Sequence, residues 1–211
     1  MQQKSFRALA RLAAFCLASS ALTAVPTLQA SAATTSWSDG TASWFSSGNW
    51  SSGIPGAGDT AIVGNGGTAQ IASGTATAGT LNIANGSSVT LLGGGALNAT
   101  NTYVGSSGGV LSSGTFVISS ASALGTTIFN LNGTLRATTT TTTANNIVFN
   151  AGTDSTVSAA AGTTLNLTGN LTFNNSAVIG DRVIIGSAAD TGTVDISSTS
   201  VTVGANAGAL E

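Results

Sequence analysis

Short runs that alternate apolar and small polar residues recur along the chain from residue 61 onward. Thr80-Leu81-Asn82-Ile83 and Thr164-Leu165-Asn166-Leu167 are two clear examples. Alternation with a period of two is typical of strands that bury one face and expose the other. The predicted strands cover residues 61–63, 69–72, 79–84, 88–92, 96–100, 102–105, 114–119, 127–137, 145–150, 155–159, 163–169, 170–174, 177–180, 182–186, 192–197 and 200–204.

Turn signals separate these runs and keep the predicted strands short. Asn85-Gly86, Gly93–Gly95, Gly108-Gly109 and Asn132-Gly133 are examples, and no segment outside the N-terminal 32 residues has helical periodicity. A β-sandwich usually has longer strands and larger core residues. Similar runs recur here at intervals of roughly 20 residues, which favours coils that bury their apolar face only against neighbouring coils. We therefore predict an all-β fold, a parallel β-helix (β-solenoid), over residues 61–211.

Six consecutive threonines, Thr138–Thr143, leave two interpretations open. The segment can lie extended on the solenoid, with methyl groups stacked on one face and hydroxyls in water. Alternatively, it can form a flexible loop that projects from the coils.

A cluster of large apolar residues precedes the first regular run, within residues 33–60. It consists of Trp37, Trp44, Phe45, Trp50 and Ile54. The first coil of a solenoid exposes its interior and strand edge, so terminal repeats act as caps. We favour an N-terminal cap, followed by a turn at Pro55-Gly56 in which Asp59 accepts backbone N–H bonds. The alternative is an aromatic platform that stacks on sugar rings.

Residues 1–32 have the organisation of a Sec-type secretory signal peptide. Lys4, Arg7 and Arg11 precede an apolar stretch, and Ala30-Ser31-Ala32 fits the small-x-small rule for cleavage after Ala32. Cys16 lies inside the apolar stretch, away from the cleavage point, and is interpreted as part of the leader.

Removal of the leader makes the chain acidic. Arg136 and Arg182 remain against seven acidic residues, which gives a net charge of −5. Such a chain lacks the basic footprint that binds phosphate backbones, so neither nucleic acid nor an anionic membrane is an expected partner. Low complexity raises the alternative of disorder, but the hydrophobic fraction of 42% and the low charge favour ordered β-structure.

Candidate catalytic and metal-binding motifs are weak. Residues 105–109 fit the G-x-S-x-G nucleophile pattern, but the chain has no His to act as a base. The carboxylates Asp181, Asp190 and Asp195 are candidates for the acid pair of a glycosidase, but their positions favour solvated turn and strand-face residues. Arg136 and Arg182 are interpreted as strand-face residues that discourage edge pairing. We therefore predict no catalytic residues, no cofactor and no metal site.

Four stretches resemble autotransporter passengers of the β-strand-repeat type from bacteria. They are GNWSSGIPGAGDTAIV, AGTLNIANGSSVTLLGG, NNIVFNAGTDSTVSAAAGTTLNLTGNLTF and VIIGSAADTGTVDIS. The resemblance implies a right-handed parallel β-helix that is exported through an outer-membrane barrel at its own C-terminus. The long amphipathic strands and aromatic girdles of such a barrel do not occur in this sequence, so we expect either a passenger fragment of a longer product or a protein that is released without a translocator of its own.

The leading functional hypothesis is a non-enzymatic exported protein of the bacterial cell surface, outer membrane or extracellular space, with a structural or adhesive role. Its expected partners are glycans or proteins on host or neighbouring cells, with membrane contact only through a barrel that is not in this chain. The alternatives are a β-helical polysaccharide-degrading enzyme and a carbohydrate-binding surface module.

Overall fold

The computed structural model describes residues 31–107, 110–120, 124–150, 152–174 and 182–203. These residues contain only β-strands, turns and one 3-10 turn at Ser47–Asn49, which confirms the all-β prediction. None of their helical segments has the length and apolarity needed to cross a membrane. The leader up to residue 30, the predicted strand 177–180 and Asp181 lie outside the described residues.

The strands form two long parallel sheets, one short parallel sheet and one hairpin. Sheet 1 has eight strands: β1 (Thr34–Ser36), β3 (Thr60–Val63), β5 (Gly74–Ile83), β7 (Gly95–Val104), β11 (Ile128–Leu131), β14 (Ile147–Asn150), β17 (Leu171–Asn174) and β20 (Val201–Val203). Sheet 2 has seven strands: β2 (Thr41–Ser43), β4 (Thr68–Ile71), β6 (Ser87–Leu91), β10 (Gly114–Ile118), β12 (Thr134–Ala137), β15 (Ser155–Ala159) and β18 (Val183–Ile185). Sheet 3 consists of β13 (Thr141–Thr143), β16 (Thr164–Leu167) and β19 (Thr193–Ile196), and the hairpin of β8 (Ser106–Ser107) and β9 (Val110–Leu111).

Each coil contributes its strands in the same order. A strand of sheet 1 is followed by a strand of sheet 2, then by a segment on a third side, and then by the next strand of sheet 1. In the later coils the third side is sheet 3, as in the path from β12 through β13 to β14. All pairings within the three sheets are parallel, and each strand pairs with the equivalent strands of the coils before and after it, except for the strands at the two ends of each sheet. This arrangement is the predicted β-solenoid, while its handedness stays a prediction.

The coils differ in length more than the sequence pattern indicated. Thr60 pairs with Thr80 at the expected offset of 20 residues, whereas Leu171 pairs with Val201 at an offset of 30. The ladders remain parallel across both intervals, so the added residues lie between the strands rather than within them.

Strands β5 and β7 are also longer than predicted, at ten residues each. Each forms the third side of its coil and then continues into sheet 1. The ladder between them skips one pair, between Ala78–Ala99 and Thr80–Asn101. No residue from Thr75 to Ala84 has a positive φ, so the backbone bends there without leaving the extended conformation.

Inward side chains stack in columns along the solenoid axis. In sheet 2 the successive residues Val89, Phe116 and Leu135 pair with one another and are fully buried. Phe149 and Phe173 stack at 4.7 Å between ring centroids in sheet 1. Burial of each such side chain contributes about 1.5–3 kcal/mol, so stability comes mainly from contact between coils.

Thr141–Thr143 of the threonine run lie extended on the solenoid, as the first interpretation predicted, whereas residues 138–140 lie outside the strand. Thr141 and Thr143 face inward in β13, whereas Thr142 is exposed. The expected placement of all hydroxyls in water is wrong, because the buried Thr143 hydroxyl donates to the side-chain oxygen of Asn145. This bond compensates for the loss of hydration.

Three tryptophans form the predicted N-terminal cap. Trp37, Trp44 and Trp50 are at most 4% exposed. The Trp50 ring lies edge-on to Trp44 at 4.7 Å and to Trp37 at 5.1 Å between centroids, and its indole N–H donates to the Trp44 carbonyl at 2.8 Å. The prediction for Phe45 and Ile54 is wrong, since these side chains are 36% and 42% exposed. The three indoles already fill the space over the first coil.

The cap segment also covers the free edge of β1. Trp37 and Trp50 form an antiparallel bridge, and the Ser51 N–H donates to the Ser36 carbonyl at 2.9 Å. The Ser38 N–H donates to the Asn49 carbonyl at 2.9 Å. Backbone groups that would otherwise recruit another strand are thereby paired.

The last described coil exposes apolar side chains at positions that are buried in earlier coils. Ile196, Val201 and Val203 are 41%, 55% and 64% exposed, although they continue columns that are buried in earlier coils. The last described strands of sheets 1 and 3 therefore bury less apolar surface than the strands of earlier coils.

Candidate functional site

An open cleft of about 600 Å³ lies at the corner between sheets 1 and 2. The turns of successive coils stack there, after β5, β7, β11 and β14. The polar side chains that line the cleft are Ser112, Ser113, Thr115, Thr134, Thr153 and Asp154, with Asn132 and three glycines completing the wall.

The close approach of the turns depends on glycine. Gly105 has a φ of +85°, and a Cβ at this position would collide with the carbonyl of Asn132 in the next coil. The hairpin β8–β9 leaves the coil at this residue. The chain returns at Ser112, whose N–H donates to the Gly105 carbonyl at 2.8 Å.

The hairpin adds an apolar edge beside the cleft. Val110 and Leu111 are 69% and 42% exposed. The Leu111 side chain lies directly over the backbone of Gly152, next to Thr153 and Asp154 in the cleft wall. The lining hydroxyls and the Asp154 carboxylate share one open concave surface, and the exposed aliphatic carbon of the hairpin lies beside it. A few polar groups in a concave surface are the features that orient a bound ligand.

Hydrogen bonds fix several of the lining groups. The Thr153 hydroxyl donates to the Asn132 carbonyl at 2.9 Å, and the Ser112 hydroxyl accepts from the Asn85 N–H at 3.1 Å. Asp154 accepts from the side chain and the backbone N–H of Arg182 at 2.9 and 3.0 Å. The bond from the Arg182 side chain lowers the pKa of Asp154, so this carboxylate is ionised at neutral pH and accepts hydrogen bonds.

Asp190 is the clearest departure from the sequence interpretation. It is buried rather than solvated, and its carboxylate receives two bonds from Arg136, through Nε at 2.9 Å and Nη2 at 2.7 Å. The Ser158 hydroxyl donates to it at 2.8 Å. These donors, Arg136 first, lower the pKa of Asp190 to about 2. Arg136 lies in a central strand, so its role is this ion pair and not protection of an edge.

The remaining sequence candidates do not converge on a reactive centre within the described residues. Asp195 is exposed on β19, as predicted, and Asp181 lies outside the described ranges. Ser106 and Ser107 of the G-x-S-x-G pattern form β8 and not a strand-to-helix elbow, and residues 108–109 lie outside the described ranges. Among the described residues there is no group of three or more His, Cys, Asp or Glu side chains able to hold a metal ion.

The tryptophans are not available as a sugar platform. Trp44 is fully buried and Trp50 is 4% exposed, so neither ring presents a face to solvent. An exposed aromatic face is the feature that stacking on a sugar would require.

Sequence reasoning did not single out the cleft. A signal was present in the long interval between the runs 102–105 and 114–119, which is rich in Gly and Ser. The other lining residues come from turns of later coils, and only the register of stacking brings them together.

The chain matches no protein-family model, no curated protein and no solved structure.

Proposed function

We propose that this protein is an exported, non-enzymatic β-solenoid of the bacterial cell surface or extracellular space, similar in role to an autotransporter passenger. The observation that carries the proposal is the continuous ladder of stacked coils with a tryptophan cap at its N-terminal end. Such a fold presents long, regular faces rather than a deep pocket, which suits structural and adhesive work.

The charge distribution supports a neutral binding surface. Both arginines of the proposed mature chain form ion pairs with Asp, at 2.7 Å for Arg136–Asp190 and 2.9 Å for Arg182–Asp154. The outward positions of sheet 2 are largely hydroxyls, as in the paired residues Thr68 and Ser88, whose oxygens lie 2.7 Å apart. Uncharged hydroxylated partners, such as the glycans of host or neighbouring cells, fit this surface.

The lowered carboxylate pKa values argue against the polysaccharide-degrading alternative. A general acid for glycoside cleavage needs a raised pKa. The pKa values of Asp59, Asp154 and Asp190 are all shifted downward. Incubation with acidic and neutral polysaccharides should therefore leave chain length unchanged, and reproducible cleavage would overturn this part of the proposal.

Export is tested by expressing the full chain, as part of its natural gene product, in a Gram-negative bacterium. We expect intact cells to be labelled by an antibody against the solenoid and to lose that label on treatment with an external protease. Retention of the protein in the cytoplasm, protected from the protease, would contradict the proposal.

A carbohydrate-binding role is the second candidate, favoured by the corner cleft rather than by the tryptophans. A glycan panel should show binding that Thr153→Val or Asp154→Asn weakens, because these groups line the cleft. Asp195→Asn, on the exposed face of sheet 3, is the matched control. Equal loss of binding in all three variants would exclude the cleft as the site.

A further inference from the structure

We propose that removal of the leader after Ala32 gives Ala33 a free α-ammonium group that forms an ion pair with Asp59 and completes the N-terminal cap. This inference rests on the proposed export of the protein. In this inference, cleavage of the leader also stabilises the first coil of the solenoid.

Ala33 already lies against Asp59 in the uncleaved chain. Its backbone N–H donates to Asp59 Oδ1 at 2.8 Å, and its carbonyl accepts from the Thr60 N–H at 2.8 Å. Ala33 is exposed, so a charge on its nitrogen faces the carboxylate on one side and water on the other. The same atom that carries the new charge is thus already within bonding distance of its partner.

Asp59 is held in place by other contacts. Oδ2 accepts from the Gly56 N–H at 2.8 Å, the Asp59 N–H donates to the Gly56 carbonyl at 3.0 Å, and the Asp59 carbonyl accepts from Gly79 at 2.8 Å. The backbone N–H groups of Ala33 and Gly56 lower the pKa of this carboxyl, which keeps it ionised at neutral pH. A preorganised acceptor loses little conformational freedom when the ammonium forms.

The chemical change at Ala33 is small but electrostatically significant. Hydrolysis breaks the Ala32–Ala33 peptide bond; the hydroxyl of water goes to the Ala32 carbonyl and a hydrogen to the Ala33 nitrogen. That nitrogen takes up a further proton at neutral pH. A neutral amide donor becomes a cationic one, and charge-assisted hydrogen bonds are roughly twice as strong as neutral ones.

The test compares three proteins: the full chain, the chain that begins at Ala33, and that shorter chain with an acetylated N-terminus. Residues 32–211 form one compact unit, and circular dichroism checks that the shorter chains are folded. Acetylation keeps the N–H donor and removes the charge. We expect the free amine to raise the melting temperature by about 1–3 °C over the acetylated form at pH 6.5, because exposed ion pairs are weak.

The pH and a pair of variants identify the partner. The free-amine advantage should disappear at pH 9.5, above the ordinary titration range of α-amines near 7.7–8.0. It should also disappear in Asp59→Asn and persist in Asp39→Asn, whose exposed carboxylate accepts from Gly40 instead. Equal melting temperatures for free and acetylated chains, or an advantage that survives Asp59→Asn, would overturn the inference.

N-terminal sequencing of the exported protein separates this inference from the proposed function. A mature chain that begins at Ala33 supports both. An exported protein that begins elsewhere would overturn the ion pair and leave export standing, whereas an uncut protein in the cytoplasm would overturn export.

Discussion

Single residues account for the way in which the N-terminal end of the solenoid is covered. Trp50 contacts both other indoles and donates its N–H to the Trp44 carbonyl. The Trp44 indole nitrogen is buried and lacks a hydrogen-bond partner among the described residues. The cap therefore gains its stability from packing and from Trp50, at the cost of one unsatisfied donor.

Replacement of Trp50 tests this account. Trp50→Ala removes the central ring and should lower the free energy of unfolding by about 3–5 kcal/mol, measured in urea. Phe45→Ala is the control and should cost less than about 1 kcal/mol, because Phe45 is 36% exposed. Equal effects would contradict a cap made of tryptophans alone.

Asp190 provides a pH-dependent test. Its pKa is lowered to about 2, so its contribution is complete above its ordinary value of 3.8 and is lost as the pH falls through about 2. Asp190→Asn should cost about 1 kcal/mol at pH 7, a modest value because Arg136 is 37% exposed and screened.

The free energy of unfolding of wild type and of Asp190→Asn is measured at several pH values between 4 and 2. The stability difference between wild type and variant should shrink as the pH falls from 4 to 2. Asp195→Asn should show no comparable loss at pH 7.

Residue roles were predictable from sequence only where the partner is local. Asp59 accepts from Gly56, three positions away, as predicted. The partner of Asp190 is 54 positions away in sequence, and no local pattern indicates that contact. The exposure of Phe45 and Ile54 likewise depends on how the three indoles fill a fixed space.

At the level of elements, the alternation of apolar and polar residues predicts the strands well. The structure of the corners depends instead on contacts between coils, which a local pattern does not contain. The predicted run 155–159 coincides with β15. The union of 96–100 and 102–105 into β7 was not predictable, because it follows from stacking on β5. The corner cleft was missed for the same reason.

The close packing of backbone at the corner predicts that a single methyl group added at Gly105 lowers the stability of the fold strongly. Gly105→Ala should destabilise the protein by at least about 2 kcal/mol, because the residue has a positive φ and its Cβ would meet the Asn132 carbonyl. Gly93→Ala, in open space with no positive φ, should change stability by less than about 1 kcal/mol. Chemical denaturation of both variants provides the comparison, and equal tolerance would refute the described corner.

At the scale of the whole described solenoid, the sequence predicted the architecture because every coil repeats one simple requirement for apolar inward positions. It did not predict unequal coil lengths, since insertions at corners leave that requirement unchanged. Stability should therefore vary along the axis with the degree to which each coil is covered.

Hydrogen exchange measures this variation. Amides of β10 and β12, in the interior of sheet 2, should exchange most slowly, and amides of β19 and β20 should exchange fastest because their side chains are largely exposed. The capped strand β1 should be better protected than β20. Equal protection of β1 and β20 would show that the tryptophans do not shield the first coil.

The tryptophan cap has a consequence for how such a molecule can grow. Each coil contacts only its immediate neighbours, so duplication of a coil within the gene adds length without altering the contacts elsewhere. A duplicate placed before β1 would bury the three indoles inside the stack, whereas a duplicate placed between two coils of the interior would meet a coil on either side. Extension in evolution, or by engineering, is therefore favoured in the interior of the described solenoid.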